Sequence, residues 1–271
     1  MFRNLGYSAI KNLSYRFRHK PVTRIALYHD MFPGTLGFFE SHLRLLKEKT
    51  HVVNLDDYFS GKLSSEKINI VITFDDGYKS WVTHAIPILK RMRLTATFFI
   101  SSGFIGLSKK EEADFLRTKM FLKLGPRETT GGLSIEDIRK IVQEGFSVGG
   151  HTMNHRLLDG SLDDSELRHE IADDRINLER MTGTPVKYFA YPFGIYHHPE
   201  IDLSRVLRES GYQGALTTTS GINSVESDPY RLHRELVSAD MPARVFRARI
   251  YGNMDPVHFL KKQLRTIRQR R

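Results

Sequence analysis

The sequence predicts an α/β protein: a parallel sheet with helices outside it, either open or closed into a barrel. Three observations carry this. Short apolar runs alternate with stretches of helical periodicity along most of the 271 residues, the pattern of parallel strands joined by helical crossovers. One run, INIVITF at 68–74, is apolar or β-branched almost throughout, as a strand covered on both faces requires. No internal repeat or low-complexity linker divides the chain, so its length suits one large domain of barrel size.

Taken in order, Arg24–Tyr28 (RIALY) reads as the first strand. Leu36–Lys49 follows with helical spacing at Phe39, Leu43 and Leu46, and His51–Asn54 is a short strand. After the 68–74 strand, Trp81–Met92 reads as a helix that Pro87 would kink. Thr95–Ile100 is a strand. The segment 108–132 shows the least regularity and reads as an insertion or active-site loop. Ser134–Glu144 is a helix with Ser134 at its N-cap, Asp137 three residues on and Gly145 as its stop. Phe146–Val148 is a strand, Leu162–Met181 a long amphipathic helix, Tyr188–Tyr191 a strand, Asp202–Ser210 a helix and Gly214–Thr217 a strand.

Composition excludes several classes. A hydrophobic fraction of 40% and a charged fraction of 27% describe an ordinary globular chain, not a disordered or collagen-like one. No apolar run approaches the roughly 18–20 residues that span a bilayer. No continuous apolar stretch of about 7–15 residues follows the N-terminal charges, so a secretory signal is not expected and a cytoplasmic location is. With no cysteine, disulfides, thiolate metal sites and thiol nucleophiles are excluded. The net charge of +10 sits at the two ends: residues 1–24 carry six basic residues and no acid, and residues 255–271 carry six against Asp255. That leaves 29 basic and 30 acidic residues between them. A nucleic-acid-binding domain would carry its charge on the folded body, so no nucleic-acid partner is expected.

The chain therefore divides into a basic amphipathic segment (1–23), a central domain (24–252) and a basic C-terminal helix (253–271). Phe2, Leu5, Ala9, Leu13 and Phe17 share one side of the first; Val257, Leu260, Leu264 and Ile267 share a face of the last. Basic amphipathic helices can lie on anionic membranes, which suggests peripheral contact at the inner face of the membrane. The plainer alternative is that both pack on the barrel.

In α/β barrels chemistry gathers at the C-terminal ends of strands. Four strand ends here carry polar groups. Thr73-Phe74-Asp75-Asp76-Gly77 places two adjacent carboxylates after a buried run; one could bind a cation while the other takes a proton, although Asp-Gly alone is a common turn. His151-Thr152-Met153-Asn154-His155 spaces two imidazoles at i and i+4, which on a helical turn can share a metal ion. Tyr191-Pro192-Phe193-Gly194 can shape a tight loop offering backbone N–H groups to an oxyanion. Tyr28-His29-Asp30 offers an imidazole as general acid. Each is weak alone. Together they supply metal ligands, a base, an acid and an oxyanion site at one rim.

The segments TFDDG, HTxxH and YPFG, in this order, resemble the polysaccharide deacetylases, the NodB-homology family also called carbohydrate esterase family 4. The resemblance covers about residues 24–250. It implies a distorted (β/α)7-type barrel in a single domain. It also implies metal-dependent removal of an N-acetyl (N-acyl) group from an amino sugar of a polysaccharide or glycan precursor. Carried over, Asp75 is the base and Asp76, His151 and His155 hold a divalent metal, zinc being the first expectation. Tyr191, Pro192 and Phe193 line the substrate and oxyanion site. Many relatives have an arginine two residues before the proline of the third motif; here that position is Ala190. Arg234 is expected to replace it, with Arg231 as the rival. Many relatives also place the acid histidine late in the chain. The early Tyr28-His29 is similar to the circularly permuted branch that includes poly-N-acetylglucosamine deacetylases, so His29 is assigned as acid and His233 as its rival. Two other readings stay open: a deformylase or amidohydrolase acting on a small or lipid-linked N-acyl sugar, and a non-catalytic glycan-binding relative.

Overall fold

The computed structural model describes residues 21–121, 128–196 and 198–252. The basic segments 1–23 and 253–271 lie outside these residues, apart from 21–23. The elements run β1 (Thr23–Tyr28), α1 (Leu36–Lys49), β2 (His51–Val52), α2 (Leu55–Phe59), β3 (Asn69–Asp76), α3 (Ile86–Met92), β4 (Thr97–Ile100), α4 (Lys109–Phe115), α5 (Ile135–Gln143), β5 (Ser147–Gly150), α6 (Asp164–Arg168), α7 (Asp174–Thr182), β6 (Tyr188–Ala190), α8 (Leu203–Glu209), β7 (Gly214–Leu216), β8 (Glu235–Leu236) and α9 (Ala243–Ile250). Single π turns precede α3 (Trp81–Ala85), follow α4 (Leu116–Met120) and join α6 to α7 (His169–Asp173).

The strands form one parallel sheet in the order β7-β6-β5-β4-β3-β1-β8, with β2 beside β3. The sheet curls into a half-barrel. Leu232, entering β8, bridges Leu216 of β7, while β8 itself pairs with β1. This is the expected distorted (β/α)7-type barrel, a single domain. Alternation along β3 divides its side chains. Ile70, Ile72 and Phe74 pack under the outer helices, in a cluster with Phe39, Leu43 and Leu46 of α1. Val71 faces inward, in a smaller cluster with Ile25, Phe99, Leu216 and Leu232. Among the described residues, no helix is long and apolar enough to cross a membrane.

Local signals explain the boundaries. Ser134 and Asp137 close a full capping box on α5, a device worth about 1 kcal/mol. Pro87 lies just after the π turn Trp81–Ala85, within one helical path from Trp81 to Met92, and the widened turn is where the helix accommodates a residue that cannot donate. The segment 108–132 is more regular than its composition suggests. Ser108 and Glu111 form a capping box on α4, and the helical path continues to Met120. Residues 131–133 are strapped to the rim: Leu133 N–H donates to the Gly77 carbonyl (3.0 Å) and Lys79 N–H to that of Gly131 (2.7 Å).

Candidate active site

Asp75 ends the inward row of β3 and is 2% exposed. A carboxylate buried this deeply requires a partner. It has one in Arg234, on the segment entering β8. Arg234 Nη1 donates to Asp75 Oδ1 and Nη2 to Asp75 Oδ2, each at 2.7 Å, in a two-pronged pair. Arg234 Nε donates to the Thr217 carbonyl (2.8 Å), and the guanidinium stands 5.7 Å from the Phe99 ring centre. Arg231 is elsewhere: it is half exposed, 3.5 Å from Asp228, and lies over Tyr196. Of the two arginines read from the sequence, Arg234 is thus the one that reaches Asp75.

Asp76 breaks the strand alternation with φ 96°, a conformation that costs a non-glycine residue about 1–3 kcal/mol. The twist turns its carboxylate toward the end of β5. Asp76 Oδ1 lies 3.4 Å from His151 Nε2 and 3.3 Å from His155 Nε2. One potential ligand atom from each of the three residues lies within 4.8 Å of the others, and all three residues are buried. The two histidines do not ride on a helical turn, as their spacing suggested. The segment is a loop in which Thr152 (φ 58°) and His155 (φ 53°) are both left-handed, and this bends the second imidazole back toward the first. Their ring centres are 5.0 Å apart.

The His151 ring is fixed by Nδ1, which donates to the Ala190 carbonyl at 2.7 Å. That leaves Nε2 as the free ligand atom, the usual second-sphere arrangement at metal-binding histidines. The position where relatives carry an arginine thus contributes only its backbone. Burial alone would lower the His151 pKa; the charges of Asp75 and Asp76 and the Asp76 hydrogen bond outweigh it and raise it. Burial pushes Asp76 up, but the hydrogen bonds of His151 and His155 and the charge of His29 hold it well below the usual carboxylate range. Asp76, His151 and His155 together form a group that could hold a metal ion. Two imidazoles and one carboxylate leave coordination positions for water and substrate, as a catalytic centre needs.

His29 lies within electrostatic reach of Asp76; its carbonyl accepts the Trp81 indole N–H at 3.1 Å. The following residue, Asp30, ties the rim together, accepting from Ser80 Oγ (2.7 Å), Thr130 N–H (2.9 Å) and Thr130 Oγ1 (2.6 Å). His233 turns to a different neighbour: its ring packs where a Cβ on Gly221 would stand, 2.9 Å away.

Pro192–Gly194 forms a tight turn beside the cluster. Phe193 is left-handed (φ 58°), and its ring meets the His155 ring edge-on at 4.7 Å. Tyr191 is buried, with its hydroxyl donating to the Tyr230 carbonyl (3.1 Å), so it braces the loop through its side chain. A side chain at Gly194 (φ 72°) would be strained, and its Cβ would fall 1.8 Å from Thr218 Oγ1, so Thr218 would have to move.

Two buried carboxylates beneath the histidine loop have no counterpart in the sequence reading. Asp174 accepts the peptide N–H groups of Ser102 (2.9 Å) and His151 (3.1 Å), and burial pushes its pKa up to about 7. Glu170 accepts from Asn154 N–H and Nδ2. In the sequence both belong to an amphipathic helix, where acidic residues ordinarily face water.

Fold and site together define an α/β barrel protein with a candidate metal centre and a separately held carboxylate at the C-terminal rim of its strands. The chain belongs to the polysaccharide deacetylase family, whose profile matches residues 62–215. It is 27% identical over 235 residues to YxkH of Bacillus subtilis, named as a polysaccharide deacetylase, covering 83% of this chain and 75% of that protein. It is also 27% identical over 154 residues to the peptidoglycan-N-acetylglucosamine deacetylase of Bacillus cereus, covering 56% of this chain and 57% of that one. Among solved structures, the deacetylase PplD of Streptococcus pyogenes superposes with a TM-score of 0.67 at 20% identity, over 85% of this chain and 99% of the other. IcaB of Ammonifex degensii does so with 0.64 at 24% identity, over 84% and 97%.

Proposed function

We propose that this chain is a metal-dependent hydrolase that removes the N-acetyl group, or a closely related N-acyl group, from an amino sugar of a polysaccharide or glycan precursor. The observation that carries the reading is the division of labour between two neighbouring carboxylates. Asp76 shares a cluster with two imidazoles, while Asp75 is kept for its arginine. Zinc is the metal we assign, since imidazole and carboxylate in a three-ligand set suit it. A divalent cation at Asp76, His151 and His155 would polarise the amide carbonyl and make bound water a stronger nucleophile.

The chain's own groups do the rest. Asp75, oriented by Arg234, takes the proton of the attacking water. His29 returns a proton to the leaving amine. The backbone N–H of Phe193 holds the carbonyl oxygen as negative charge develops on it; one such donor is worth about 10²–10³-fold in rate. Positioned acid and base together typically supply about 10²–10⁴-fold. The test is mass spectrometry of a panel of N-acylated amino sugars and oligosaccharides incubated with zinc-supplied protein and with chelator-treated protein. We expect acetate and a free amine only in the first. Release of formate alone would move the assignment to a deformylase. No product from any member, with zinc stoichiometrically bound, would overturn the reading.

A further inference from the structure

The helix after the histidine loop is interrupted where it passes beneath that loop. Asp164–Arg168 is α-helical, His169–Asp173 is a single π turn, and Asp174–Thr182 resumes the α-helix. A π turn inserts one residue and re-aims the side chains that follow; such bulges gather at functional sites. Here the bulge presents Glu170 and Asp174, four residues apart, to the underside of 151–154. Glu170 is 6% exposed and Asp174 fully buried.

Between them they hold most of the loop's backbone. Asp174 Oδ2 accepts the His151 N–H at 3.1 Å and its Oδ1 the Ser102 N–H at 2.9 Å. The Glu170 carbonyl accepts the Met153 N–H at 2.9 Å. Glu170 Oε2 accepts the Asn154 N–H (2.8 Å) and Oε1 the Asn154 side-chain amide (2.9 Å). From the other side, Ser101 Oγ donates to the His151 carbonyl (2.9 Å) and Gly103 N–H to the Met153 carbonyl (2.9 Å). The loop needs this support, because Thr152 and His155 both occupy the left-handed region at a cost that only surrounding contacts can offset.

Support alone does not explain the residue types. A neutral amide or hydroxyl could accept such a bond with a smaller desolvation penalty than a buried carboxylate. What a carboxylate adds is two acceptor oxygens and no amide donor, so each oxygen takes a separate N–H, where an amide would turn its NH2 group against one of them. We propose that Glu170 and Asp174 are positioning residues: the bulged turn presets the His151–His155 loop for a divalent cation by holding its backbone. The inference rests on the metal reading of the site.

The test titrates zinc against a chromophoric chelator, and records the visible spectrum of the cobalt form, for wild type, Asp174→Asn, Glu170→Gln and Leu178→Ala. Leu178 is a buried apolar residue about one turn beyond Asp174 on the same helix and serves as a control for general loosening. Wild type must first bind one equivalent of zinc; if it does not, the metal reading fails and takes this inference with it. Given binding, we expect the two carboxylate variants to lose about 10–100-fold in zinc affinity and to change the cobalt bands. We also expect their KM for the sugar substrate to stay within about twofold, while kcat recovers with added zinc. Leu178→Ala should melt earlier yet bind zinc like wild type. If Asp174→Asn does not fold, Glu170→Gln decides. Zinc affinity within threefold of wild type in the folded carboxylate variants would overturn the proposal. So would an equal loss in Leu178→Ala.

Discussion

Replacing Arg234 by methionine removes the guanidinium but keeps most of the aliphatic volume. The consequence can be worked from the geometry. Two charge-assisted hydrogen bonds of 2.7 Å to Asp75 are lost, and with them the Nε bond to the Thr217 carbonyl. The side chains involved are 0% and 3% exposed, so water does not replace the lost donors. Breaking a buried pair by deleting one partner costs about 3–5 kcal/mol. At about 2–4 °C per kcal/mol for a chain of this size, the melting temperature should fall by about 6–20 °C. Removing the stranded charge as well should return part of this. Arg234→Met with Asp75→Asn should be more stable than the two single effects summed, by about 0.5–3 kcal/mol, the range for side chains in direct contact. Arg234→Lys keeps the charge but not the planar fork, so it should fall between wild type and Arg234→Met in stability. In deacetylation, Arg234→Met should lose about 10²-fold or more in kcat, since the base is no longer oriented. Thermal unfolding by circular dichroism for wild type, Arg234→Met, Arg234→Lys, Asp75→Asn and the double variant, with product release measured on the same samples, checks this. A single variant within 2 °C of wild type and within threefold of its activity would refute the reasoning.

Three further outcomes follow from the site and the core. Asp75→Asn should abolish turnover while zinc affinity stays within a few-fold of wild type, and Asp76→Asn should lose zinc; retained turnover in Asp75→Asn would reverse the two roles. His29→Gln should lower kcat by about 10²–10⁴-fold, and His233→Gln by less than tenfold; the opposite order would move the acid to His233. Burial lowers the pKa of His42, partly offset by its bond to the Met241 carbonyl and the charge of Asp240. A histidine with a depressed folded pKa lends stability above its ordinary value of 6.5 and loses it as the pH falls through the lower folded value. Between pH 7.5 and 5, wild type should therefore lose more in melting temperature than His42→Gln, and equal losses would exclude His42 as the titrating group.

The sequence made the strand ends legible because buried parallel strands are near-continuous apolar runs, so a polar group that closes one stands out. Asp75 and Asp76 were visible in this way, and so was the order of the elements. Less visible were features fixed by long-range contacts. Arg234 could be singled out only as a candidate beside Arg231; what distinguishes it is its place two residues after Leu232, on the same inward face. The loop form of 151–155 depends on two left-handed residues that no spacing rule announces. The helix α2 is five residues long and shows no periodicity, although Asn54 caps it by accepting the Asp57 N–H at 2.7 Å, a signal that was there to be read. Glu170 and Asp174 were hidden because a helix pattern assigns acids to water, and only the π turn sends them inward.

The glycine at 194 leaves no slack in the wall beside the cluster, because Thr218 already fills the space a side chain would enter. The backbone there is a fixed template, and the neighbouring benzyl group of residue 193, 38% exposed, is the adjustable surface laid over it. A laboratory search for altered specificity would change what is mounted on this frame and leave the frame itself alone.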